Sequence, residues 1–293
     1  MKIRFEGAIP ALATPFRGGA IDRDALARLV DYCIEGGVVA LAPCGSTGES
    51  ATLTHAEHAE VVRAVVEMAR GRVPVIAGTG SNATAEAITL TQAAKEAGAA
   101  AALMISPYYN KPTQEGIFRH YEAVARATRF PIIVYNIPGR TASKIEATTI
   151  ARLAELDEIV GLKEATGSLD EAQEVVRLCG DRIGVYAGDD SLTLPILAVG
   201  GCGVISVIAN LMPRESQEVV DAARRGDWSR AREIHFRMLP LMRALFLESN
   251  PIPAKAALQA MGICGDEVRL PLTPMTEEPR RKLLAVLKDY GLA

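Results

Sequence analysis

A set of about eight short apolar runs, each followed by a stretch of helical periodicity, constrains this 293-residue chain more than any other feature. The runs are Ala8-Ile9-Pro10-Ala11-Leu12-Ala13, Val38-Val39-Ala40-Leu41-Ala42, Val73-Pro74-Val75-Ile76-Ala77, Ala101-Ala102-Leu103-Met104-Ile105, Pro131-Ile132-Ile133-Val134-Tyr135, Ile159-Val160-Gly161-Leu162-Lys163, Ile183-Gly184-Val185-Tyr186-Ala187 and Gly203-Val204-Ile205-Ser206-Val207. They recur roughly every 20 to 35 residues and are continuous rather than alternating, the pattern of parallel strands covered on both faces. Between them lie amphipathic stretches. Residues 22–35 place Leu26, Leu29, Val30 and Cys33 on one helical face, Thr54 with Glu57 has the form of a capping box, and 82–98 ends on a glycine. Parallel strands joined by helices make either an open doubly wound sheet or a closed barrel; eight units in a single-domain length favour the α/β (β/α)8 TIM barrel. Beyond Arg224 the apolar runs stop, and 227–247, 253–261 and 277–290 read as helices. The expected organisation is a barrel over residues 1–224 with a C-terminal helical domain over 225–293.

Charge narrows the functional classes. Lys plus Arg number 32 against 35 Asp plus Glu, a net charge of −3, so there is no basic footprint for nucleic acid. The five cysteines (Cys33, Cys44, Cys179, Cys202, Cys264) are odd in number and never form C-x-x-C, as expected of reduced thiols. The first residues lack the apolar core of a secretion signal, and no apolar run approaches the ~18 residues of a membrane span. A soluble, cytoplasmic protein without membrane partners is the expectation.

In such barrels the chemistry gathers at the C-terminal ends of the strands. The second run exits into Cys44-Gly45-Ser46-Thr47-Gly48-Glu49-Ser50, the fourth into Ser106-Pro107-Tyr108-Tyr109-Asn110-Lys111-Pro112, the fifth into Asn136-Ile137-Pro138-Gly139-Arg140-Thr141, and the seventh into Gly188-Asp189-Asp190. Of eight lysines only Lys163 closes an apolar strand run. Desolvated inside a barrel, its amine would lose part of its charge and could attack a ketone. The competing reading pairs it with Glu164 at the rim, although neighbours on a strand face opposite sides. Tyr135 ends the adjacent run, where its phenol could shuttle protons or simply be buried on backbone, and Thr47 could link it to a second phenol. The Gly45–Gly48 turn could offer N–H groups to a carboxylate, and Arg140 could fork onto another or be an ordinary loop arginine.

Other patterns weigh less. Gly78-Thr79-Gly80-Ser81-Asn82-Ala83 lacks the third glycine of a dinucleotide fingerprint. His55 and His58 share a helix face but have no third zinc ligand in view. Asp189-Asp190 reads as a helix cap rather than a magnesium site, and Cys44 as a buried thiol. No metal or organic cofactor is expected.

Taken together, Gly45-Ser46-Thr47-Gly48-Glu49, Tyr135-Asn136-Ile137-Pro138-Gly139-Arg140-Thr141, Leu162-Lys163-Glu164-Ala165-Thr166-Gly167, the Ser106–Pro112 string, Gly188-Asp189-Asp190 and Asn250-Pro251-Ile252-Pro253-Ala254-Lys255 resemble the pyruvate-dependent class I aldolase (N-acetylneuraminate lyase) superfamily, over about residues 7–275. The match is to its biosynthetic branch, whose members condense pyruvate with L-aspartate 4-semialdehyde on the route to diaminopimelate and lysine. The resemblance implies a (β/α)8 barrel with C-terminal helices, assembled as a homotetramer built from two dimers. It implies that Lys163 forms the Schiff base with pyruvate, and that Tyr135, Thr47 and Tyr109 make the proton relay, Tyr109 reaching in from the neighbouring subunit. Arg140 would hold the carboxylate of the semialdehyde, Ser46 and Thr47 the carboxylate of pyruvate, with the Ile205 carbonyl close by. Ser46 stands where many members of this branch carry Thr; the hydroxyl is retained. Another Schiff-base aldolase of the superfamily, such as a sialic-acid lyase or a keto-deoxy-sugar aldolase or dehydratase, is the alternative, and Arg140 favours the synthase branch.

The same resemblance implies feedback inhibition by L-lysine through Ser50, Ala51, His55, His58, Asn82, Glu86 and Tyr108. From the residues alone, His55 with His58 and Asn82 with Glu86 each share a helix face. Glu86 offers a carboxylate to an ammonium, while Asn82 and Tyr108 offer donors to a carboxylate. Ordinary exposed helix residues would show the same spacing.

Overall fold

The computed structural model describes residues 2–293. Seven parallel strands lie in the order Gly7–Pro10, Gly203–Ser206, Gly184–Ala187, Ile159–Glu164, Ile132–Asn136, Ala101–Ile105 and Ile76–Gly78. The second apolar run closes the ring between the first and last of these. It does so through single parallel bridges, Ala11 to Ala42 and Leu41 to Val75, with Ala42 N–H donating to Pro10 (2.9 Å) and Ile76 N–H to Leu41 (2.8 Å). Pro43 and Pro74 flank this seam and have no N–H to give, so the second run stays extended without a regular ladder. The barrel is otherwise the expected one.

Continuous apolarity has a direct structural cause. One buried cluster, including Ile9, Ala40, Ile76, Leu103, Ile133, Tyr135, Val160, Tyr186 and Ile205, fills the barrel. A larger one, including Leu41, Met104, Val134 and Leu162, packs the outer faces of the strands against the helices. In the sixth run the alternation breaks: Ile132 pairs with Ile159 but Ile133 with Gly161. That extra residue is a bulge, and it lets Val160 and Lys163, an odd number of positions apart, both face inward. Gly161 is required there, because a Cβ would come within 2.9 Å of the Tyr186 ring.

The helices begin where capping chemistry predicts. Asp22 accepts from Ala25 N–H ahead of Arg23–Glu35, and Thr54 with Glu57 closes a complete capping box on His55–Ala69. Three helices, Trp228–Ala244, Ile252–Ala260 and Glu277–Asp289, end the chain. A hairpin that the periodicity did not reveal pairs Phe16–Arg17 with Ala20–Ile21 through Gly18 and Gly19, both at positive φ. Among the described residues no helix is long and apolar enough to cross a membrane.

Candidate active site

Lys163 is the penultimate residue of its strand, in register with Tyr135 on one side and Tyr186 on the other. It is 5 % exposed, and its ammonium nitrogen lies 4.3 Å from the centre of the Tyr135 ring. Among the described residues it makes no ion pair and no hydrogen bond. Burial lowers its pKa to about 8, against opposing pulls from Asp190 and Asp189 and a small push in the same direction from Arg140. The Glu164 alternative fails on geometry. That carboxylate faces away, accepts the Thr166 N–H at 2.7 Å, and is raised in pKa by its own burial.

Tyr135 is buried and its pKa is pushed up to about 12, mainly by desolvation, with Arg140 and contact with the Ser46 side chain drawing it down and Asp189 drawing it up. Its phenol therefore stays protonated at neutral pH. Ser46 and Thr47 lie in a tight turn in which Glu49 N–H returns to the Ser46 carbonyl (3.2 Å) and Ser50 N–H to that of Gly45 (3.3 Å). The Ser46 and Thr47 N–H groups have no partner among the described residues, so the turn presents free donors. Gly48 allows this packing; a Cβ would meet the Leu12 carbonyl at 3.0 Å.

Asn250 joins the site from the C-terminal segment, and sequence reasoning missed it. Its side-chain N–H donates to the buried Thr47 hydroxyl at 2.9 Å, and its carbonyl accepts from the Arg140 guanidinium at 3.0 Å. The string around Asn250 carries part of the family resemblance, but nothing in the sequence links it to Thr47, 203 residues away. Arg140 stands on the short helix Pro138–Thr141 at the strand exit and is otherwise exposed at the mouth. Ile205 lies buried in the barrel interior, paired with Ile9. Tyr109 does not enter the site of its own barrel: it is 89 % exposed at φ +68°. Thr47 accordingly has no bond to Tyr135 or Tyr109 within the chain.

The turn is braced from behind. Glu49, at φ +53°, receives the ammonium of the fully buried Lys255 at 2.7 Å, and that nitrogen also donates to the Thr14 carbonyl at 2.9 Å. Arg269 N–H donates to the other Glu49 oxygen at 3.1 Å.

A cavity of about 340 Å³ runs from Ser46, Tyr135 and Arg140 outward to Ser50, Ala51, His55, His58, Glu86 and Tyr108. Six of the seven residues expected to hold lysine therefore share one hollow. Asn82 is the exception: it does not line the cavity, and its carbonyl accepts from the Asn110 side chain. His55 Nε2 meets Glu86 at 2.7 Å, and the Ser81 hydroxyl donates to the other Glu86 oxygen; the two bonds hold that carboxyl below its ordinary pKa. His58 instead turns its Nε2 to the Gly78 carbonyl at 2.7 Å, and burial lowers its pKa. The two histidines thus diverge, and among the described residues no three His, Cys, Asp or Glu side chains converge. Asp190 Oδ2 caps the turn Ile208–Asn210, accepting from Val207 and Ile208 N–H. Cys44 is buried with its thiol pushed up.

Residues 4–290 match the sequence model of the dihydrodipicolinate synthetase family. The chain belongs to that family. Among curated relatives, the 4-hydroxy-tetrahydrodipicolinate synthase of Citrifermentans bemidjiense is 55 % identical over 288 residues, covering 98 % of this chain and 99 % of the relative. Two solved members of the dihydrodipicolinate synthetase family superpose closely. A chloride-inhibited dihydrodipicolinate synthase from Acinetobacter baumannii, complexed with pyruvate, has a TM-score of 0.97 at 43 % identity, covering 99 % of this chain and 100 % of that one. A synthase from Cyanidioschyzon merolae with lysine bound has a TM-score of 0.95 at 41 % identity, covering 99 % of each chain.

Proposed function

We propose that this chain catalyses the 4-hydroxy-tetrahydrodipicolinate synthase reaction, condensing pyruvate, held as a Schiff base on Lys163, with L-aspartate 4-semialdehyde. The observation that carries the reading is a buried lysine that makes no ion pair, at the C-terminal end of a strand in a barrel of this family. With a pKa of about 8, about a tenth of Lys163 is free amine at pH 7. The amine attacks the ketone carbon of pyruvate, the carbinolamine loses water, and loss of a methyl proton from the imine gives the enamine that attacks the aldehyde. Tyr135, protonated and stacked beside the amine, is suited to protonate the departing hydroxyl. The Thr47 oxygen already accepts from Asn250, so its own hydrogen is left to donate along the relay. The free N–H groups and hydroxyl at Ser46 and Thr47 fit the pyruvate carboxylate, near the Ile205 carbonyl. Arg140 keeps donors for the carboxylate of the semialdehyde after its bond to Asn250.

Tyr109, exposed and held in the left-handed region, is assigned to the relay of a second copy across a dimer interface, with dimers pairing into the tetramer that the resemblance implies. The outer part of the cavity is assigned to L-lysine, with Glu86 taking an ammonium; the lysine-bound relative supports this. Unpaired and mostly buried cysteines are compatible with the reducing cytoplasm.

The deciding experiment is a coupled assay of purified protein with pyruvate and aspartate semialdehyde, run beside N-acetylneuraminate cleavage. Turnover of the first pair is expected, and Arg140→Ala should lower kcat/KM for the semialdehyde by about 2 to 4 kcal/mol while borohydride trapping of pyruvate persists. An unchanged kcat/KM would assign another aldehyde. Millimolar lysine should slow the wild type and leave Glu86→Ala largely unaffected; equal rates with and without lysine in the wild type would remove the regulatory assignment.

A further inference from the structure

Between the strand Gly203–Ser206 and the helices Pro213–Arg224 and Trp228–Ala244 lies a second cavity of about 10 Å³, separate from the mouth. Asp190, Thr193, Ser206, Ser216 and His235 supply its polar wall, and the rest is apolar. Five buried side-chain polar atoms lack a partner among the described residues, and two of them, Asp190 Oδ1 and His235 Nδ1, belong to this one wall. Both residues are almost wholly buried, 3 % exposed each.

Burial lowers the pKa of His235, so the ring is neutral at pH 7 and carries one hydrogen; the backbone of Ser191 is its other polar neighbour. With that hydrogen directed to Ser191, Nδ1 is a lone-pair acceptor. Asp190 Oδ1 is an acceptor as well. Two acceptors cannot bond each other, but a water has a hydrogen for each, and a space of this size takes about one water. Burial raises the Asp190 pKa, and the Ser206 side chain together with the Val207 and Ile208 N–H groups, which hold the other carboxylate oxygen at 3.0 and 2.9 Å, draws it back down. Asp190 is also the first of the charges that oppose the desolvation of Lys163.

We propose that a water bound between Asp190 and His235 keeps Asp190 ionised behind Lys163, making His235 a positioning residue for the Schiff-base amine. The proposal rests on the Schiff-base reading above. Lys163 itself is faced by Asp190, Asp189, Arg140 and Tyr135, whereas Asp190 and His235 are the titratable groups on the cavity wall. Without the water's hydrogen, the buried Asp190 carboxyl retains its proton more readily, and the amine loses an anion that favours its charged form. Its pKa then falls.

The test is the pH dependence of borohydride trapping of pyruvate by the full chain. Relative to wild type, His235→Leu should move the acid limb about one unit lower. Asp190→Asn should move it the same way, and the two together no further than either alone. His235→Asn, which keeps a polar atom near Nδ1, should retain the wild-type profile. A high-resolution crystal structure of the wild type should show the water, which keeps the idea testable even if His235→Leu does not fold. An empty cavity, or a folded His235→Leu with the wild-type profile, would overturn the inference. Absence of any adduct on Lys163 in the wild type would overturn the Schiff-base reading and this role together, whereas an adduct with no shift overturns only the role of His235.

Discussion

Two buried lysines in this molecule differ in one respect that separates chemistry from structure. Lys163 and Lys255 each place the ammonium 4.3 Å from an aromatic centre, Tyr135 and Phe16 respectively, and burial lowers both pKa values. Lys255 is compensated by Glu49 at 2.7 Å and the Thr14 carbonyl at 2.9 Å, with both partners of the ion pair withdrawn from water. Lys163 has only aspartates acting at a distance and no hydrogen bond. Desolvation without a partner yields a nucleophile; desolvation with one yields a brace. The brace holds Glu49, and Glu49 closes the turn that carries Ser46 and Thr47, so Lys255 supports the site proposed for Lys163.

The largest effect expected from breaking this contrast is at Lys163. Lys163→Ala should abolish the borohydride-trapped adduct and lower kcat by at least about a thousandfold, with a smaller loss of Tm than Lys255→Met causes, since no ion pair is removed. An adduct that survives on Lys255 would collapse the distinction. The reciprocal change, Lys255→Met, should destabilise the fold by about 3 to 5 kcal/mol by stranding Glu49, measured by urea unfolding, and the Glu49→Leu/Lys255→Met pair should recover much of that loss. If the single variant unfolds at the wild-type midpoint, Lys255 is not a brace. The smallest effect sharpens the comparison rather than breaking it. Because burial depresses the Lys163 pKa to about 8, the ammonium predominates below that pH, and the trapping rate should climb about fivefold from pH 7 to 8 and level off by about pH 9. A rate still rising steeply near pH 10 would mean that Lys163 is solvated like a surface lysine.

Much of the barrel was legible because both faces of each strand are buried, which writes uninterrupted apolar runs into the chain. The seam at Val38–Ala42 has the apolar pattern of a strand and forms only an extended bridge, since the prolines beside it remove ladder donors. The Phe16–Ile21 hairpin is too short to show periodicity, and Gly18-Gly19 is its one local signal, a turn. At the site, Lys163, Tyr135 and Arg140 were visible because strand-end positions are local in sequence. Asn250 was not, and neither was the divergence of His55 and His58, which depends on the Gly78 carbonyl and Glu86 supplied by other elements.

The chain alone determined the order of strands and helices, the caps that start them, and which polar residues stand at strand exits, because each follows from nearest-neighbour stereochemistry and the burial of one face. Only the tertiary structure decided which buried charge is paired. Glu49 and Lys255 are 206 residues apart, and the bulge beside Gly161 that turns Lys163 inward exists only against Tyr186 and Ile133 on the adjacent strands. Desolvation and hydrogen bonding are properties of the assembled surroundings, so the reactivity of an amine is settled where the chain folds back on itself.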